Sequence, residues 1–171
     1  YKRQDLRVVG NTAQNGGGIH ITGVSTTTIT GGEVRGNTAT GSGGGLHISL
    51  GAVPLVEDLV VRDNRALGTG FWSGGGGMYI ATDASPTIRD TRVVGNRALY
   101  GGGYRILAPA TIVGGEVREN GADEDGGGLH VYQAAPTFRD LRVVGNTATW
   151  YGGGLCAHWH ASPTITGGEI R

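Results

Sequence analysis

The chain has 171 residues, of which 35 are glycine, five proline and one cysteine, and 14 basic residues balance 14 acidic ones. Zero net charge gives no electrostatic case for nucleic acid or an anionic membrane, and no apolar run approaches the roughly 20 residues of a membrane-crossing helix. Proline is too scarce and glycine too irregularly spaced for collagen.

In chain order the same elements recur six times. Val8, Asn11 and Ala13 precede the glycine triplet 16–18 and the run Ile19-His20-Ile21, and Thr28-Ile29 follows. The second unit has Val34, Asn37, Ala39, the triplet 43–45, Leu46-His47-Ile48 and Leu55-Val56. The third has Val61, Asn64, Ala66, the triplet 75–77, Met78 and Thr87-Ile88. The fourth has Val93, Asn96, Ala98, the triplet 101–103 and Thr111-Ile112. The fifth has Val117, Asn120, Ala122, the triplet 126–128, Leu129 and Thr137-Phe138. The sixth has Val143, Asn146, Ala148, the triplet 152–154, Leu155 and Thr164-Ile165. The closing glycines Gly18, Gly45, Gly77, Gly103, Gly128 and Gly154 are 25–32 residues apart. A flexible linker would not hold this register.

Each unit of about 26 residues contains three short runs with period-2 alternation, separated by turn residues, and no helical spacing. Three strands and three turns describe one coil of a parallel β-helix. Coils stack about 4.8 Å apart, so six make a rod of roughly 29 Å. Like residues then form columns. The valines, the residues after the triplets and the Ile29-type residues point inward. The alanines close a corner, the asparagines form an internal amide ladder, and the glycines supply a tight corner. A phosphate-cradling role for the triplets would need a following helix, and none follows.

Val-Val-Gly-Asn-x-Ala followed by Gly-Gly-Gly-Leu/Ile resembles the repeats of polymorphic outer-membrane proteins, which are autotransporter passengers and adhesins, and right-handed parallel β-helix repeats of bacterial surface proteins more widely. The likeness covers the whole chain. It departs in Val for Phe (Val8-Val9-Gly10-Asn11) and Gly for Ala (Gly16-Gly17-Gly18-Ile19). It implies a secreted or cell-surface protein and carries over no catalytic residue.

A two-coil period is also present. The outward position four before each Asn reads Arg7, Glu33, Val60, Arg92, Glu116, Arg142 and then Glu169. Stacked opposite charges fix register; a polyanion-binding stripe is the other reading.

The variable turn lies between Asn-x-Ala and the triplet. It carries Phe71, Trp72, Tyr100, Trp150 and Tyr151, with Asp123-Glu124-Asp125 in the fifth unit. Aromatic rings beside carboxylates suit sugars or protein partners; alternatively the rings only cover the glycine corner. A column of outward side chains follows the triplets: His20, His47, Tyr79, Arg105, His130 and Cys156, with His158 and His160 on alternate positions after it. His130, Cys156, His158 and His160 are candidate metal ligands, set against an incidental clustering of like columns. The single cysteine can form no internal disulfide.

A flat threonine array for ice binding is broken, because the rank next to Thr28, Thr87, Thr111, Thr137 and Thr164 reads Thr30, Glu57, Arg89, Val113, Arg139, Thr166. Polysaccharide cleavage needs converging carboxylates. Asp5, Asp58, Asp90 and Asp140 instead recur at one turn position, which points to turn chemistry; Asp63 and Glu119 are isolated. Tyr1-Lys2-Arg3-Gln4-Asp5 enters in mid-repeat and Glu169-Ile170-Arg171 opens a seventh coil, so a segment of a longer solenoid, or a unit that stacks end to end or laterally, is expected.

The sequence therefore predicts an all-β, right-handed parallel β-helix of about six coils with three short strands each. The expected role is a surface-exposed or secreted stalk presenting loops to a glycan or surface protein, with no cofactor. A β-helix polysaccharide lyase or hydrolase, or a filament subunit, remain as alternatives.

Overall fold

A computed structural model describes residues 6–171, so the reading of Tyr1 to Asp5 lies outside the described residues. Every strand pairs in parallel with its counterpart one unit along the chain. One sheet has seven strands, from Arg7–Val9 through Glu33–Arg35 to Glu169–Ile170. A second, of six, contains the strands after the triplets, such as Leu46–Ile48 and Leu129–Tyr132. A third, also of six, contains the Thr28–Thr30 type.

A fourth sheet was not anticipated. Two-residue strands such as Thr38–Ala39 and Arg65–Ala66 follow each asparagine and pair in register, with Ala39 beside Ala66 and Ala98 beside Ala122. The coil therefore has four short faces, where the sequence showed three. Two residues are too few to display an alternation.

The inward columns build one continuous core. Val34, Val61, Val93 and Val117 face Leu46, Met78 and Leu129, while Val56, Ile88, Ile112 and Phe138 complete the ring. Burying each such side chain contributes roughly 1.5–3 kcal/mol. Tyr104 takes the same inward position in the fourth coil and is fully buried, so burial raises its phenol pKa.

The asparagines form an unbroken ladder. Asn64 Nδ2 donates to Asn96 Oδ1 at 2.9 Å and to the Val34 carbonyl at 3.0 Å, and the same Asn96 oxygen accepts the Asn64 backbone N–H at 2.9 Å. The pattern runs from Asn11 through Asn37 and Asn120 to Asn146. Each amide thus meets donors and acceptors that would otherwise be orphaned at a buried bend.

The triplet glycines serve two needs. The first has positive φ, for example 67° at Gly75. The second and third lack that φ but have no room for a side chain. A Cβ on Gly76 would stand 2.5 Å from the carbonyl oxygens of Arg97 and Gly102. On Gly77 it would press on Val93 and Asn96.

Asp58, Asp90 and Asp140 hold φ of 53°, 46° and 52° at one turn position. Asp63 and Glu119 do the same at the turn before the ladder, with φ of 56° and 55°. These carboxylates sit where other coils use glycine, at left-handed turn positions that asparagine and aspartate tolerate best.

Glu33 contacts Arg62 at 2.6 Å and Arg35 at 3.1 Å, and Arg142 spans Glu116 at 3.4 Å and Glu169 at 3.3 Å. The Arg62 hydrogen bond lowers the Glu33 pKa. These pairs are partly exposed and add little stability, and those that join neighbouring coils, Glu33–Arg62, Glu116–Arg142 and Arg142–Glu169, favour the observed register.

Candidate functional site

The most differentiated surface lies outside the sheet that follows the triplets. Its side chains point away from the core, yet many are buried: His47, Tyr79, Arg105, His130 and Cys156 all have less than a tenth of their surface exposed. The long turn of the third coil reaches over two of them, Tyr79 and Arg105. The Tyr79 hydroxyl donates to the Trp72 carbonyl at 2.7 Å, and Arg105 Nη2 donates to the Phe71 carbonyl at 2.9 Å. A second small core of Tyr79, Leu107 and Tyr132 forms beneath this cover.

Arg105 is the hub. Its side chain is completely buried, and its guanidinium carbon lies 4.8 Å from the Tyr100 ring centre, 5.5 Å from Phe71 and 5.6 Å from Tyr132. Nη1 also contacts Nδ1 of His130. Burial pulls its pKa down to about 10, against the opposing pull of Tyr79, Tyr100, Tyr132 and Asp125. Burial, and then the His20 charge, pull His47 down to about 4. His47 stacks on Tyr79 with centroids 4.8 Å apart.

The candidate binding rings separate into two groups. Tyr100 is buried, and its hydroxyl donates to Glu124, which pushes its pKa up to about 12. Asp125 is buried as well, accepting the Tyr151 N–H at 3.2 Å. Neither can greet a ligand at the surface. The reason is local: Tyr100 meets Phe71 of the longer third-coil turn, with ring centres 5.8 Å apart, while Asp125 turns in towards Tyr151 and His158 of the next coil.

Trp72, Trp150 and Tyr151 do project, at 58%, 68% and 61% exposure; Phe71 is partly exposed, and Asp123 is exposed in the turn of the fifth coil. Trp159, which sequence reasoning passed over, joins them at 59%. Trp159 and His160 have φ of 50° and 60°, and a left-handed backbone is unusual for bulky residues. The only sequence signal for Trp159 was a tryptophan where other coils turn.

Trp72, Tyr151 and Trp159 are linked into one band through Tyr132 and His158, and Trp150 adjoins Tyr151 in the chain. Trp72 and Phe71 lie edge-on to Tyr132, at 5.6 and 4.9 Å between centroids. Tyr132 pairs in register with His158, which lies 6.4 Å from Tyr151 and 6.1 Å from Trp159. On the flank, a shallow groove of about 150 Å³ is lined by Arg65, Arg97, Leu67, Thr69 and Asp123. Arg65 and Arg97 are register partners, so two cations stand side by side.

Of the candidate metal ligands, His130, Cys156 and His158 come together, and His160 does not join them. It sits past the strand end in the positive-φ turn. Asp125 takes its place: one ligand atom from each of Asp125, His130, Cys156 and His158 lies within 4.8 Å of the others. Asp125 lies only five residues before His130, but in the variable turn that leads into that strand and not in the outward column, so the column did not reveal it. Burial, then Asp125, raise the Cys156 thiol pKa.

Residues 2–170 match the family described as "Right handed beta helix region". The chain belongs to the right-handed β-helix family. The match confirms the expected fold over nearly the whole sequence and carries no assignment of adhesion, secretion or autotransport. No curated protein and no solved structure matches the chain.

Proposed function

We propose that this β-helix is a rigid binding scaffold whose aromatic edge recognises a carbohydrate chain. The observation that carries the reading is the band of four projecting rings, Trp72, Trp150, Tyr151 and Trp159, each more than half exposed. Soluble monomers rarely leave so many large rings bare on one side. Flat rings suit the apolar faces of sugars, and Tyr and Trp add a polar handle at the rim.

Asp123, in the groove with Arg65 and Arg97, can accept from sugar hydroxyls. The paired Arg65 and Arg97 share their groove with the single carboxylate of Asp123, so they keep donors for a chain bearing carboxylates. The rod supplies rigidity, because every loop is anchored to a sheet of parallel strands. A surface-exposed or secreted setting is the natural one for such a scaffold and belongs to the same proposal.

A glycan array including neutral and uronic-acid polysaccharides tests this reading. Binding is expected, strongest for acidic chains, and lost in Trp150→Ala/Tyr151→Ala. No binding to any glycan, or binding that survives the double substitution, contradicts it. Shortening of a bound polysaccharide would point to the enzymatic alternative.

A further inference from the structure

The tetrad Asp125, His130, Cys156 and His158 borders the aromatic edge, with His158 beside Tyr151 and Trp159, but the sugar-binding reading asks nothing of its ligand atoms. We infer that it is a binding site for a divalent transition-metal ion, zinc foremost. The four ligand atoms lie within 4.8 Å of one another, and the first three residues are buried while His158 is half-buried. Zinc–ligand bonds of about 2.0–2.3 Å put tetrahedral ligand atoms roughly 3.3–3.7 Å apart. Side-chain adjustments of about 1 Å therefore suffice to close the site.

No hydrogen bond joins any two of the four side chains. His158 Nδ1 faces Asp125 Oδ2 at 4.0 Å, too far for one. The outer oxygen of Asp125 is already spoken for, since Oδ1 accepts the Tyr151 N–H at 3.2 Å. That bond aims the other oxygen at His158. Register does the rest: His130 pairs with Cys156, and Tyr132 with His158, on neighbouring coils.

The donor set selects the ion. A thiolate and two imidazoles suit zinc and its neighbours, and are wrong for calcium or magnesium, which take oxygen ligands. The nearby Arg105 cation does not forbid it. Asp125 and a Cys156 thiolate supply two negative charges to offset the ion. Arg105 can only donate, so the His130 Nδ1 that it meets must accept, which requires the neutral, ligating imidazole. Nε2, 3.4 Å from the same guanidinium nitrogen, is left for the metal. The ion would tie the fifth coil's turn to the strands of the fifth and sixth coils.

The test uses the whole chain, reduced and freed of metal with a chelator. Zinc is titrated by calorimetry, and cobalt is added as a spectroscopic reporter. One ion per chain is expected, with a thiolate-to-cobalt charge-transfer band and tetrahedral d–d bands. Cys156→Ser should remove the charge-transfer band. His158→Ala should weaken zinc by more than the roughly 10–100-fold cost of losing an outer-shell partner. His160→Ala should change neither. His158 is half-buried, so its variant remains decisive should the buried Cys156 substitution fail to fold. No heat and no band overturns the inference. A charge-transfer band that survives Cys156→Ser, or equal weakening by His158→Ala and His160→Ala, marks an adventitious surface ion and overturns it as well.

Discussion

Arg105 Nη2 donates to the Phe71 carbonyl at 2.9 Å across 34 residues of sequence, while its guanidinium sits 5.5 Å from the Phe71 ring. This one contact fastens the longest turn of the β-helix over a column that would otherwise face water. It explains how an outward-pointing arginine comes to be wholly buried. It also explains why Trp72, the next residue, is carried to the rim of the aromatic band.

Removing that fastening should free the turn. Arg105→Ala forfeits a charge-assisted hydrogen bond and three ring contacts, a loss of about 3 kcal/mol. Urea unfolding measures the destabilisation, and amide exchange should rise between residues 67 and 73. Arg105→Lys should restore little, because an ammonium cannot reach the carbonyl and lie flat against three rings at once.

The ladder should fail at a single rung. Asn96→Ala removes the oxygen that accepts the Asn64 backbone N–H and side-chain amide, and strips donors from the Val61 carbonyl and Asn120. Orphaned buried polar groups cost about 1–3 kcal/mol each. Denaturant unfolding of Asn96→Ala should show a loss near the upper end of that range or beyond.

Glycine positions should separate by cause. Gly76→Ala drives a methyl into two backbone carbonyls and should cost about 3 kcal/mol or more. Gly36 has φ of 61° with open space around it, so Gly36→Ala should cost only about 1 kcal/mol. Gly70 has neither constraint, and its alanine variant should be close to neutral. Thermal melts of the three variants should rank in that order.

Acid should weaken the fold through His47. Its folded pKa is about 4 against an ordinary 6.5. Below pH 6.5 the unfolded chain therefore binds a proton that the folded chain refuses. Stability present above pH 6.5 drains away as the pH falls towards 4, by up to about 3 kcal/mol. His47→Gln should flatten the stability profile over that window.

The core and ladder were legible because Val34, Asn37 and Leu46 recur with their counterparts in every coil, and a repeated column can only stack. The aspartates at 58, 90 and 140 were legible for the same reason. What covers His130 and Arg105 was not, since no column records how a turn of unique length folds back. Tyr100 and Asp125 share the variable turn with Trp72 and Trp150, yet burial divides them. His130, Cys156 and His158 stand in stacked columns, whereas Asp125 comes from a turn of variable length, whose path no column records. Trp159 stands alone in its column, so its exposure emerged only from the backbone turn that holds it.

The central claim is that the bare rings are a sugar-binding edge. Affinity electrophoresis through gels containing individual polysaccharides tests it most directly, comparing the protein with the Trp150→Ala/Tyr151→Ala/Trp159→Ala variant. The account predicts retardation by at least one polysaccharide, with an acidic one foremost, and free migration of the variant in the same gel. Free migration of both proteins in every gel, or equal retardation of the two, would contradict it.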